Sequence, residues 1–225
     1  REVGHGALAE RALLPVIPDP GSIVATSTID ELDITEWTLS NGAKVVLKPT
    51  DLRDDEIRFA ASSPGGTSLA SDEDYVIAST STAVLNISGL GEFNAIDLRK
   101  QMAGKAASVS PSIGRFSEAL GGQASPKDLE TLFQLIYLRF TAPRADPVAL
   151  EAYLAQGRSA LANQTATPAF QFNKRLTELR WQDHPRRQTM TVETLDDWDL
   201  ERSFAFYQER FADAGDFTFF FVGKI

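Results

Sequence analysis

Histidine is the first residue type to consider, because hydrolytic zinc sites need three protein ligands and commonly take two histidines from one helical turn. This sequence has two histidines, His5 and His184, and they lie far apart along the chain. It contains neither a His-Glu-x-x-His nor a His-x-x-Glu-His string. We therefore expect no metal ligand and no catalytic residue in this chain. His184 lies between Asp183 and Pro185, where the end of a helix is the simpler interpretation and a catalytic or ligand role is the alternative.

Nucleophilic and nucleotide-binding motifs are also missing. The chain has no cysteine, which excludes disulfides, thiolate metal sites and cysteine nucleophiles. It has no Gly-x-Ser-x-Gly elbow, and Gly89-Leu90-Gly91 lacks the third glycine of a dinucleotide-binding loop. The pairs Gly65-Gly66 and Gly121-Gly122 are more typical of turns or bulges than of phosphate-binding loops.

Carboxylates form two dense clusters. One contains Asp72, Glu73 and Asp74, and the other contains Asp196, Asp197 and Asp199. Paired carboxylates can perform acid–base chemistry, but acidic residues at a helix start also stabilise the helix dipole. We interpret both clusters as helix starts. No substrate-binding residue is predicted from these clusters.

The negative net charge of the chain disfavours polyanionic partners. The 225 residues include 22 basic and 31 acidic side chains, a formal charge of −9, which argues against nucleic-acid binding. An acidic surface could favour basic peptides, or could simply maintain solubility. Hydrophobic residues make up 43% of the chain, enough for a substantial core, and no apolar run is long enough to predict a membrane span.

The predicted strands and helices begin after a proline-rich segment. Residues 1–30 contain Pro15, Pro18, Pro20 and Gly21 and are predicted to be an interdomain linker. A hairpin follows, with Trp37 and Leu39 on its first strand, a turn at Asn41-Gly42 and a returning strand at 45–47. Residues 56–62 predict a third strand.

Helical patterns dominate the rest of the chain. Helical spacing and capping residues predict helices over 77–87, 94–102, 125–140, 146–163, 167–181 and 195–211. Residues 105–123 predict an antiparallel strand pair, and the aromatic run 217–222 predicts a buried strand. The order of elements predicts an α+β fold in which a mainly antiparallel sheet packs against several helices.

Several local strings together resemble the insulinase (pitrilysin-type) zinc metallopeptidase family. They are the hairpin Trp37-Thr38-Leu39-Ser40-Asn41-Gly42-Ala43-Lys44-Val45-Val46-Leu47, the string Ser63-Pro64-Gly65-Gly66-Thr67 before a helix, Asp183-His184-Pro185, and residues 206–211 followed by 216–223. The resemblance covers residues 34–223. In the family's catalytic domain the helix after the third strand carries His-x-x-Glu-His. The matching segment here, residues 75–85, has no histidine and no glutamate, so no metal ligand is carried over.

The resemblance implies a metalloprotease-like domain of the insulinase or processing-peptidase type over residues 31–225. It would be noncatalytic, with residues 216–225 forming a final strand that leads into a following domain. Zinc would belong to the catalytic half of the parent protein and not to this chain. The implied partners are a catalytic zinc-peptidase domain, on the same or a partner chain, and a peptide substrate, with no nucleic acid and no membrane span.

Three functional hypotheses remain open at this point. The chain is either the noncatalytic half of a longer peptidase, a stand-alone noncatalytic partner subunit, or an enzyme of another class that uses carboxylates or His184. Because it begins without methionine and ends directly after a strand-like run, we expect it to be a piece of a longer protein. A periplasmic or cell-envelope location is implied by the resemblance alone.

Overall fold

The computed structural model describes residues 11–225 as one seven-stranded sheet with six α-helices. The strands are β1 (Ile23–Ile29), β2 (Ile34–Leu39), β3 (Lys44–Pro49), β4 (Ile57–Pro64), β5 (Ala107–Ile113), β6 (Ser117–Ala124) and β7 (Thr218–Gly223). The helices are α1 (Tyr75–Ser88), α2 (Ala95–Gln101), α3 (Leu129–Thr141), α4 (Pro147–Thr165), α5 (Pro168–Trp181) and α6 (Leu200–Arg210). No helix in this part of the chain is long and apolar enough to cross a membrane.

The sheet is mainly antiparallel. Its strand order is β1-β2-β3-β7-β4-β6-β5, and β3 with β7 is the parallel pair. The last strand in the chain therefore lies near the middle of the sheet, between β3 and β4. This arrangement confirms the predicted α+β fold, and the aromatic character of β7 follows from its central position.

The β2–β3 hairpin forms as its turn sequence predicts. Gly42 adopts φ +92°, a conformation that glycine reaches without a steric penalty. The side chain of Asn41 accepts a hydrogen bond of 3.2 Å from the backbone N–H of Ala43, which closes the turn. The pairing of Trp37 with Val45 then fixes the register of both strands.

The helices cover one face of the sheet. Along β4, Ile57, Phe59 and Ala61 are buried, whereas the alternating residues Arg58 and Ala60 are exposed. Helix α3 packs against β5 and β6, and α1 packs between β5, α4 and α6. Burial of one face explains the strict alternation, because successive strand side chains point to opposite faces.

The interpretation of residues 1–30 as an unpacked linker is wrong for part of that segment. Residues Ile23–Ile29 form β1, which pairs antiparallel with β2, and Leu13 is 4% exposed within the core. The prolines predict extended chain, but β-branched residues that follow Gly21 can extend a sheet wherever a free strand edge lies beside them. A role as interdomain connector stays a prediction. Residues 1–10, including His5, lie outside the described residues.

Three further details differ from the sequence predictions. The helix predicted over 195–211 is divided into a 3₁₀ turn, Glu193–Leu195, and α6, which begins after its N-cap Asp199. The apolar stripe Leu129, Leu132, Phe133, Ile136 and Phe140 predicts one buried helix face, but Phe133 is 49% exposed, although its ring contacts Phe221. Gly121 and Gly122 lie within β6 and form neither a turn nor a bulge.

Candidate functional site

Helix α1 occupies the centre of the helical layer. It contacts α6 on one side and α4 and β5 on the others. Ile77, Val84 and Leu85 are buried along it, together with the small residues Ala78 and Ser81. Small side chains at these positions let the neighbouring helices approach closely, so α1 is a packed element whose inner face is not open to solvent.

Four hydroxyl groups of α1 donate hydrogen bonds to carbonyls of the same helix. Ser79 and Thr80 donate to the carbonyl of Val76 at 3.0 and 2.8 Å. Ser81 donates to the carbonyl of Ala78 at 2.9 Å, and Ser88 donates to that of Val84 at 2.6 Å. This back-bonding is the usual way in which serine and threonine are accommodated inside a helix.

The donor set of α1 does not fit zinc. Zinc in proteins takes thiolate, imidazole or carboxylate ligands, and neutral hydroxyls already bonded to carbonyls are not substitutes. Among residues 11–225 no group of three or more histidine, cysteine, aspartate or glutamate side chains is placed to hold a metal ion. The side chains of α1 are therefore not a zinc ligand set.

The acidic residues before α1 bind arginines from distant segments. Asp72 forms an ion pair with Arg186, and Asp74 forms one with Arg202 of α6. Asp74 is the N-cap of α1, but its side chain makes no capping hydrogen bond. The cluster therefore ties α1 to two other elements, in addition to any effect on the helix dipole. No sequence signal marks these pairs, because the partners are more than a hundred residues apart.

The two acidic clusters meet across one cavity. A cavity of about 620 Å³ is lined by Asp72 and Glu73 from the start of α1 and by Asp196, Asp197 and Asp199 from the start of α6. Arg202 is the positive side chain in its wall. The sequence predicts each cluster as a separate helix start, and the packing of α1 against α6 brings them together.

Arg186 connects the segment after α5 to the segment before α1. Its guanidinium donates to the carbonyls of Thr67 and Ala70 at 3.0 and 2.6 Å, and it lies 5.3 Å from the centre of the Tyr75 ring. His184 begins the 3₁₀ turn Pro185–Arg187, and its Nδ1 accepts from the backbone N–H of Arg186 at 3.2 Å. His184 thus positions the backbone that presents Arg186.

Glu118 is a buried carboxyl on β6 that the sequence patterns do not indicate. It is 3% exposed and accepts a hydrogen bond of 2.6 Å from the backbone N–H of Gly66, which has φ +67°. Burial raises the pKa of Glu118, and the Gly66 hydrogen bond and the positive charge of Arg210 offset only part of that effect. The carboxyl holds the 3₁₀ turn Gly66–Leu69 against the sheet.

Replacing Glu118 with glutamine is expected to remove a pH dependence of stability. Because the pKa of Glu118 is raised in the folded chain, its carboxyl binds a proton more tightly there than in the unfolded chain. The free energy of unfolding of the wild type therefore falls as pH rises from the unfolded pKa to the folded pKa. The glutamine carbonyl can still accept from Gly66. Relative to the wild type, the free energy of unfolding of Glu118→Gln should therefore rise as pH increases from about 4 toward neutrality. Urea unfolding across this range measures the difference, and a constant or falling difference contradicts the assignment.

Comparisons with known proteins agree with this fold. No model of a known protein family matches the chain. A probable zinc protease PqqL from Haemophilus influenzae is 25% identical over 205 residues, which cover 91% of this chain and 22% of that protein. The crystal structure of the periplasmic protease PqqL from Escherichia coli superposes with a TM-score of 0.79 and 24% identity, covering 96% of this chain and 24% of that one.

A third similar structure is that of a domain named as inactive. It is the peptidase M16 inactive domain from Pseudomonas fluorescens, with a TM-score of 0.66 and 16% identity, covering 86% of this chain and 47% of that one. The chain is similar in sequence to probable zinc proteases of the PqqL type and shares the fold of M16 peptidase domains. The chain spans 22% of the length of the Haemophilus relative. Residues 75–85 contain no histidine and no glutamate, and among residues 11–225 no group of three or more histidine, cysteine, aspartate or glutamate side chains is placed to hold a metal ion.

Proposed function

We propose that this M16 domain is the noncatalytic half of a zinc endopeptidase, where it helps to enclose and orient peptide substrate for a separate catalytic domain. The proposal rests on the side chains of α1. The sequence resemblance matches this helix to the zinc-binding helix, yet it contains no histidine and no glutamate, and four of its hydroxyls are bonded to backbone carbonyls. A domain that cannot activate water can still accelerate cleavage, because holding the peptide in register lowers the entropic cost of attack.

The sheet edges offer a way to hold an extended peptide. All seven residues of β1 are exposed, and this strand forms one edge of the sheet. The other edge, β5, is packed against α1 and α3 on its inner face. A peptide can add to a free strand edge through main-chain hydrogen bonds, which accept many sequences. In this proposal the open edge and the cavities beside α1 form part of the wall of a substrate chamber.

The isolated domain is expected to bind no stoichiometric zinc and to cleave no peptide. Elemental analysis after dialysis against zinc should give far less than one ion per chain, and a mixed peptide digest should remain intact. Zinc retained at one ion per chain, or turnover that is lost in His184→Ala while folding is preserved, would overturn the noncatalytic assignment.

A complementation assay tests the proposed role directly. The domain is mixed with the His-x-x-Glu-His domain of its parent peptidase, encoded upstream on the same polypeptide or on a partner chain. We expect cleavage to rise and the KM for peptide to fall when both halves are present. Full activity and unchanged KM of the catalytic domain alone would contradict a role in holding substrate.

A further inference from the structure

One cavity of this acidic chain is lined by positive and aromatic side chains. The chain carries a formal charge of −9. Between the 3₁₀ turn Gly66–Leu69, the β5–β6 turn and the end of α5 lies a cavity of about 320 Å³ without an aspartate or glutamate in its wall. Its positive groups are Arg115, Arg186 and Arg187, and Phe116 and Trp181 are among its aromatic groups. We call it the arginine cavity.

Two of the three arginines have no ion-pair partner among the described residues. Arg186 is held by Asp72 and two backbone carbonyls. In contrast, Arg115 and Arg187 make no ion pair and no side-chain hydrogen bond within residues 11–225, and their contacts are with aromatic rings. Asp183 lines a neighbouring cavity of about 250 Å³ together with Arg187, but does not pair with it. Two cations without partners beside one cavity create a local positive potential.

Both guanidinium groups lie close to an aromatic ring. Arg187 lies 4.6 Å above the centre of the Trp181 ring, and Arg115 lies 5.8 Å from the centre of the Phe116 ring. A guanidinium that packs on an aromatic face keeps its N–H donors in its own plane, where a planar carboxylate can accept two of them. Phe116 is 69% exposed, so it also offers an apolar surface next to these donors.

We propose that the arginine cavity binds a carboxylate group of an acidic peptide, supplied by an aspartate or glutamate side chain or by the peptide's C-terminus. This inference rests on the proposed function and specifies the class of peptide that the domain holds. A polyanion such as nucleic acid would meet the repulsion of the −9 chain as a whole, whereas a single carboxylate experiences mainly the local arginines. The adjoining rings and the hydroxyls of Thr67 and Ser68 suit a peptide backbone and its neighbouring side chains.

Peptide titrations of the intact 225-residue chain test the proposal. The probes are short alanine peptides with one central phenylalanine followed by glutamate or by glutamine, each with a free or an amidated C-terminus. Tryptophan fluorescence and calorimetry report binding. We expect a peptide that carries the glutamate or a free C-terminus to bind about tenfold more tightly than the glutamine peptide with an amidated C-terminus. This difference in affinity should shrink as the salt concentration is raised. The four peptides show which carboxylate is preferred.

Matched variants locate the site. Arg115→Gln and Arg187→Gln should each reduce affinity for the acidic peptide about tenfold and leave the neutral peptide unaffected. Arg53→Gln is the control. It removes the same charge from the loop before the start of β4, whereas the arginine cavity lies beyond the end of that strand, so affinity should change less than about twofold. Both cavity arginines lack ion-pair partners within residues 11–225, so their variants are expected to retain the wild-type melting temperature.

Several results would overturn the carboxylate site. Equal binding of acidic and neutral peptides, no binding at millimolar peptide, an equal loss in Arg53→Gln, or tighter binding of inorganic phosphate than of any peptide would each do so. These results are independent of the complementation assay. A domain that enhances cleavage but shows no preference for carboxylates refutes this inference alone, and one that binds acidic peptide but never enhances cleavage refutes the chamber role alone.

Discussion

Replacing Gly122 with alanine is expected to destabilise the chain by about 3 kcal/mol or more. A Cβ atom at Gly122 would lie 2.1 Å from the backbone carbonyl oxygen of Ser108 and 3.3 Å from the Cα of Val109. Both neighbours belong to the backbone of β5, which is paired with β6 in register and cannot move like the end of a flexible side chain. The strand pair must therefore separate or shift.

The adjacent residue provides the control. A Cβ atom at Gly121 meets no atom within 4 Å, so Gly121→Ala should stay within about 0.5 kcal/mol of the wild type. For a domain of this size each kcal/mol lowers the melting temperature by about 2–4 °C, so Gly122→Ala should melt at least about 6 °C lower. Thermal unfolding of the three proteins distinguishes them, and equal melting temperatures for the two variants would show that β5 and β6 are not paired in this way.

Truncating Phe217 to alanine should cost about 3–5 kcal/mol. Its side chain is 1% exposed, and its ring meets Phe140 edge-on at 5.1 Å between centroids and Phe211 at 5.4 Å. These rings join α3, the end of α6 and the start of β7. Removing the central ring leaves a cavity that three separate elements surround, and those elements can collapse only partly.

Phe220, a second phenylalanine of the aromatic run 217–222, is the matched comparison. Phe220 is 38% exposed on the sheet face that the helices leave uncovered, so Phe220→Ala should cost about 1 kcal/mol or less. Urea unfolding of the two variants gives both values on one scale. A larger loss in Phe220→Ala than in Phe217→Ala would mean that the helices pack on the opposite face of β7.

Local sequence patterns predict most of the secondary structure. The caps Asp146 and Thr167, each followed by proline, mark the starts of α4 and α5, and both cap side chains accept hydrogen bonds from the first turn. The turn at Asn41-Gly42 predicts its hairpin. These signals act over a few residues, through backbone conformation and hydrogen bonds that do not depend on the rest of the fold. The boundary of α6 is harder to predict, because two short acidic segments can both begin a helix and packing selects between them.

The missing zinc ligands can also be read from residue types alone. With two distant histidines and no cysteine, no folding of this chain can place two imidazoles on one helical turn. By contrast, the addition of β1 to the sheet, the shared cavity of the two acidic clusters and the meeting of Arg115 with Arg187 are decided by tertiary packing. Each joins segments that are distant in sequence and carry no matching local signal, and each forms only when helices and strands dock. Residue types thus exclude a zinc helix with two histidines, while long-range packing creates the shared cavities and the free sheet edge.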